Sequence, residues 1–135
     1  MTHGLLLFAH GARDPNWAVP FDAVARRIRL RQPLWRVELA YLEFMQPDLA
    51  AAGAALAAAG CTQVDVLPLF LGAGGHVRKD LPRLLGELAR THPGVHWELQ
   101  PAIGEIDSVI AAMADAAIAL AGPGAGPKAG PLGME

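Results

Sequence analysis

Short runs of consecutive apolar residues alternate along this chain with stretches whose apolar positions recur every three or four residues. The runs at 4–9, 36–42, 64–70 and 95–99 have the length and density of strands buried on both faces. Between them lie helical patterns. The first opens after Asp14-Pro15, a cap followed by proline, and places Trp17, Phe21, Val24 and Ile28 on one stripe. The second starts near Pro47-Asp48, carries Leu49, Ala52 and Leu56 inward, and ends at Gly60. The third has Leu81, Leu84, Leu85 and Leu88 in register, with Asp80 as its cap. The fourth carries Ile106, Val109, Ile110 and Met113. The order β-α-β-α-β-α-β-α predicts an α/β fold, a three-layer α/β/α sandwich around a four-stranded parallel sheet. Right-handed crossovers leave few topologies, and we expect strand order 2-1-3-4. Strands one and three are then neighbours, and the crevice between them is the switch point outside the carboxyl ends of the strands, where open sheets bind ligands.

Composition narrows the function more than the fold. The 135 residues fit one domain, expected over 1–121. Residues 122–135 alternate glycine and proline without apolar periodicity and read as a flexible tail. The formal net charge of −2 gives no reason to expect nucleic acid or an anionic membrane as partner. No apolar stretch reaches the roughly 20 residues of a membrane span. No basic segment leads a signal-peptide core, so a cytoplasmic location is expected. The single Cys61 excludes an intramolecular disulfide and a metal site made only of cysteines.

Two histidines hold matching places. His10 ends the first apolar run, and His76 follows the third after the loop Gly72-Ala73-Gly74-Gly75. On neighbouring parallel strands both imidazoles stand at the same edge of the sheet. Neutral imidazole is a common metal ligand and titrates near neutrality, so the pair points to metal or proton chemistry. Each has a bland reading: a strand-terminating histidine bonded to backbone, or an exposed one on a connector. Glu43, at the exit of strand two, is a turn residue or a third ligand or proton acceptor. Arg13 can hold a carboxylate by its forked donors or can pair with Asp14 or Asp22. The glycine-rich loop lacks the Gly-Lys-Ser/Thr ending of a phosphate loop, and an approach of something large and flat to its backbone fits it better. His3, His92 and His96 carry less information. Glu105 is read as support for the start of helix four.

Four segments, taken together and in order, resemble one family. They are His10-Gly11-Ala12-Arg13-Asp14-Pro15, Leu42-Glu43-Phe44-Met45-Gln46-Pro47-Asp48-Leu49, the stretch from Leu67-Pro68-Leu69-Phe70 through Gly74-Gly75-His76-Val77-Arg78-Lys79-Asp80-Leu81-Pro82, and Ile103-Gly104-Glu105. The chain resembles the small sirohydrochlorin chelatases of the CbiX/SirB type, class II chelatases. The resemblance implies a lyase that inserts Co²⁺, Fe²⁺ or Ni²⁺ into a sirohydrochlorin-type tetrapyrrole, in cobalamin or siroheme biosynthesis. It implies catalytic and metal-binding roles for His10, His76 and Glu43, and a homodimer, because long members carry two such units. Position adds Arg13, Gly74, Gly75 and Arg78 as substrate-binding residues. No cofactor beyond the metal substrate is expected. Ala12 stands where serine is usual, and the histidine-rich tail and cysteine cluster of some relatives are absent from the sequence. A non-catalytic metal or tetrapyrrole carrier is the alternative.

Overall fold

The structure, a computed structural model, describes residues 2–72 and 74–122, with the His76 side chain outside that description. The proposed tail, from 123 onward, also lies outside the described residues. The elements are β1 (Thr2–Ala9), a 3-10 turn (Pro15–Ala18), α1 (Val19–Arg31), β2 (Arg36–Tyr41), α2 (Leu49–Ala58), β3 (Cys61–Pro68), α3 (Gly75–Thr91), β4 (His96–Leu99), a second 3-10 turn (Ile103–Glu105) and α4 (Asp107–Ala121). The four strands form one sheet in the order β2-β1-β3-β4, every pair parallel. The expected topology is therefore present.

Strand β1 lies between β2 and β3 and is buried from Gly4 to Ala9. Its side chains alternate between two cores. Leu6 and Phe8 join Val64 and Val66 of β3 beneath α2 and α3, where Leu56, Leu85 and Leu88 close the layer. Leu5, Leu7 and Ala9 face the other way, with Val37, Leu39 and Tyr41 of β2 and with Trp17, Phe21 and Ile28 on the α1 side. This two-faced burial explains why β1 reads as an unbroken apolar run.

The element ends follow local chemistry. Asp14 accepts a hydrogen bond from the Asn16 amide at 2.9 Å, so the Asp14-Pro15 signal opens a 3-10 turn that leads into α1. Asp48 caps α2 by accepting from the Ala51 amide at 2.8 Å. Replacing Asp48 by alanine leaves that amide without its acceptor; a loss of about 1 kcal/mol in urea unfolding is expected. Helix α3 departs from the sequence reading. It begins at Gly75 with Gly74 as its cap, and Asp80 sits within it, 3.7 Å from Arg83. Pro82 lies inside this helix, where it removes one internal hydrogen bond. Asp80 and Pro82 therefore look like a helix start although the chain is already helical.

Helix α4 stands apart from the other helices. Helices cover the sheet on both faces, α1 on one and α2 with α3 on the other, but α4 packs chiefly on the 3-10 turn from which it springs. No described helix is long and apolar enough to cross a membrane.

Candidate metal and substrate site

Hydrogen bonds continue the sheet beyond the formal ends of its strands and fix the carboxyl edge. The Leu69 amide donates to the Phe8 carbonyl at 2.7 Å, the Leu42 amide to Ala9 at 2.9 Å and the Glu43 amide to His10 at 3.1 Å. His10 is thus the last residue of β1 still held by backbone pairing. Glu43 is brought beside it by that bond rather than by side-chain attraction. The Tyr41 amide donates to the Pro47 carbonyl at 2.9 Å, which closes the loop presenting Glu43 and Phe44 into a compact unit.

Gly11 makes this arrangement possible. Its φ is +86°, and a β-carbon there would run into the Glu43 carbonyl. The backbones after β1 and β2 approach so closely that no side chain fits between them. Gly104 does the same on the far side of the crevice. Its amide donates to the Phe70 carbonyl at 2.9 Å, and a β-carbon would meet the Leu71 backbone.

The His10 ring is exposed, with one face on Phe70 at 4.2 Å between centroids and 32° between planes. Phe70 is only 2% exposed and meets Phe8 at 6.0 Å. A column of core aromatics therefore supports the imidazole from below. Among the described residues, no group hydrogen-bonds the His10 ring nitrogens, and the Glu43 carboxylate forms no ion pair. Both are free to meet a ligand. Beneath them, burial and, to a lesser extent, the nearby Asp22 carboxylate push the Tyr41 hydroxyl above its ordinary range, so it stays neutral.

The rim around this edge is apolar. Leu42, Phe44 and Leu71 are all exposed, Leu71 to 70%. Phe44 holds a φ of 67°, uncommon for an aromatic residue, and Arg13 lies over its ring at 4.8 Å. The arginine therefore pairs with neither Asp14 nor Asp22. Sequence reasoning placed Glu43 but missed Phe44; the signal available was an aromatic residue inside a loop that had no core to enter.

On the β3 side, Gly74 and Gly75 form the start of α3, and a β-carbon on either would meet open space. Their small size therefore leaves the approach to this loop unobstructed. His76 is the second residue of α3, at the same edge as His10, but its side chain lies outside the described residues. Arg78, in the first turn, donates to Glu105 at 2.8 Å. Glu105 is in the 3-10 turn before α4, so its role is a bridge to α3. The pair flanks a cavity of about 240 Å³ that also touches Pro68, Leu81 and Leu99. Among the described side chains, no three of histidine, cysteine, aspartate or glutamate are close enough to hold an ion.

Comparison with known proteins agrees with this fold. The CbiX family profile matches residues 4–119. A protein named sirohydrochlorin cobaltochelatase from Saccharolobus solfataricus is 39% identical over 83 residues, which is 62% of this chain and 63% of that one. This chain therefore spans less than two thirds of that relative. A CbiX protein from Marinobacter aquaeolei VT8 superposes with a TM-score of 0.74 at 32% identity, over 85% of this chain and 93% of that one. The sirohydrochlorin chelatase SirB from Bacillus subtilis subspecies spizizenii, solved with cobalt, shares the fold with a TM-score of 0.74 at 23% identity, over 85% of this chain but 49% of that one. With this match across nearly all of the described sheet and helices, and with the four motifs gathered at one sheet edge, the chain belongs to the CbiX family.

Proposed function

We propose that this protein is a sirohydrochlorin chelatase that inserts a divalent ion, Co²⁺ or Fe²⁺, with Ni²⁺ as a third option, into a sirohydrochlorin-type tetrapyrrole. It acts in the cytoplasm as a homodimer, in cobalamin or siroheme biosynthesis, and needs no cofactor beyond the metal it transfers. The observation that carries this reading is the state of His10. It stands exposed at the switch point, braced by Phe70 and without a described hydrogen-bond partner. It does so in a chain whose relative bears the name sirohydrochlorin cobaltochelatase.

Insertion exchanges one divalent ion for two pyrrole N–H protons, so the site must hold the ion, remove its water and accept protons. His10 and His76 supply neutral nitrogen ligands, and Glu43 supplies an oxygen or takes a proton. Such an open ligand set releases the ion readily, whereas a closed four-ligand site retains it. The exposed rim of Leu42, Phe44 and Leu71 offers a flat macrocycle an apolar edge to rest against. Arg13 above Phe44 meets the carboxylates of the substrate, and Arg78 does so by exchanging Glu105 for one of them. Gly74 and Gly75 let the ring come close to the backbone.

The test is an absorbance assay with sirohydrochlorin, Co²⁺ or Fe²⁺, and protein well below substrate concentration. Many turnovers per subunit are expected. Metal-tetrapyrrole formed only up to the amount of protein would identify a carrier instead.

A further inference from the structure

A cavity of about 240 Å³ lies between the exits of β3 and β4 and the first two turns of α3. Pro68, Leu81 and Ala102 are buried and Leu99 is partly buried, so its floor is apolar. Gln100 also touches it, but the side-chain amide of that residue donates to Asp65 at 2.8 Å. Among the described residues that line the cavity, the charged ones are Arg78 and Glu105, joined at 2.8 Å. Their side chains are 62% and 40% exposed, so the pair stands at the mouth, toward solvent.

The volume is below the roughly 300–1,000 Å³ of pockets that enclose a whole small molecule. It suits a side arm, a few carbons ending in a polar group, with the rest of the ligand outside. The position agrees. Neighbouring strands lie about 4.8 Å apart, so the exits of β1 and β4, with β3 between them, are about 10 Å apart along the edge. A macrocycle centred near His10 carries its peripheral arms over a distance of that order. An exposed ion pair contributes little to stability, so exchanging one carboxylate for another at Arg78 is easy. A neutral arm offers nothing in exchange and leaves the pair shut. Specificity then comes from the group that must be displaced as well as from the one that attracts.

We propose that this cavity is the subsite for one carboxylate-tipped side arm of the tetrapyrrole, with Arg78 as its anchor and Glu105 as the resident competitor that admits a free carboxylate and turns away a neutral arm. The aliphatic part of the arm lies on Pro68, Leu81 and Ala102. Its carboxylate takes the guanidinium from Glu105, which turns to solvent. Glu105 belongs to the same 3-10 turn as Gly104, whose amide donates to the Phe70 carbonyl at 2.9 Å, and the Phe70 ring carries His10. An arm anchored here is thereby held in register with His10 through the fold itself. This inference rests on the chelatase reading above and names the part of the substrate that the α3 side of the site reads.

The test is steady-state insertion of Co²⁺ into sirohydrochlorin by the full chain, beside equilibrium binding of metal-free sirohydrochlorin followed by fluorescence. Arg78→Gln is expected to raise KM and Kd at least ~10-fold, with kcat within about twofold, because a charge-assisted bond is lost. Glu105→Gln is expected to move both constants the other way, about threefold down, because the competing charge is gone. Lys79→Gln, outside the cavity, reports general electrostatic attraction and should change neither by more than about twofold. Binding of the methyl ester of sirohydrochlorin, which offers no anion, should not depend on Arg78. A pair that only holds α3 in place predicts losses in both Arg78→Gln and Glu105→Gln, and that result overturns the subsite. Unchanged constants in both, or an equal effect of Lys79→Gln or on the ester, overturn it as well. A gain in affinity cannot come from misfolding, so the Glu105→Gln result stands whatever the fold of Arg78→Gln. If the unaltered chain binds sirohydrochlorin without turnover, the chelatase reading falls, and the order of the dissociation constants still decides the subsite.

Discussion

Replacing His10 by alanine is expected to lower metal insertion at least ~100-fold while the protein stays folded, because the proposed ligand and proton acceptor is lost and no described neighbour stands in for it. The ring is exposed, and its contact within the fold is with Phe70 at 4.2 Å. Loss of that aromatic contact costs about 1 kcal/mol, a shift of a few degrees in a melting curve. The two readouts separate catalysis from stability: an insertion assay with Co²⁺ and sirohydrochlorin, and thermal unfolding followed by circular dichroism. His76→Ala should match it in activity, since neither imidazole alone provides two nitrogens. Glu43→Gln should lose less, because it keeps an oxygen donor and loses only the charge. A near-normal rate in His10→Ala would remove the imidazole from the chemistry and leave it as a cap on Phe70.

The sheet and the position of His10 were legible in the sequence for one physical reason. Strands buried on both faces must be apolar at every position, so the residue that ends such a run marks the carboxyl edge. Phe8 and Ala9 are at most 1% exposed, and the next residue is exposed. The start of α3 was not legible, since glycines at a helix start look like loop and Pro82 looks like a first turn. The Arg78–Glu105 pair links residues 27 positions apart, and no local pattern encodes it. The fate of α4 was hidden differently. Periodicity reveals that a helix has an apolar stripe, but not which body covers the stripe.

Gly11→Ala should produce the largest loss that touches both fold and site. The φ of +86° costs a side-chain-bearing residue about 1–3 kcal/mol. The new β-carbon also meets the Glu43 carbonyl, a backbone atom that cannot rotate away. Relief requires the 42–47 loop to move outward, which costs roughly 1–3 kcal/mol more. A total near 3 kcal/mol is expected in urea unfolding. The same movement stretches the Glu43 amide bond to His10, now 3.1 Å, and carries the carboxylate away from the imidazole. Activity should therefore fall by more than the unfolded fraction accounts for, even where the variant is still fully native. Gly104→Ala is the control. It forces a backbone clash with Leu71 on the other side of the crevice, so it destabilises the fold without moving Glu43 directly. If both variants lost activity only in step with their stability, the spacing of His10 and Glu43 would have no part in the reaction. A steeper loss in Gly11→Ala would assign the glycine its role: it sets the distance between a ligand on one strand and a carboxylate on the next.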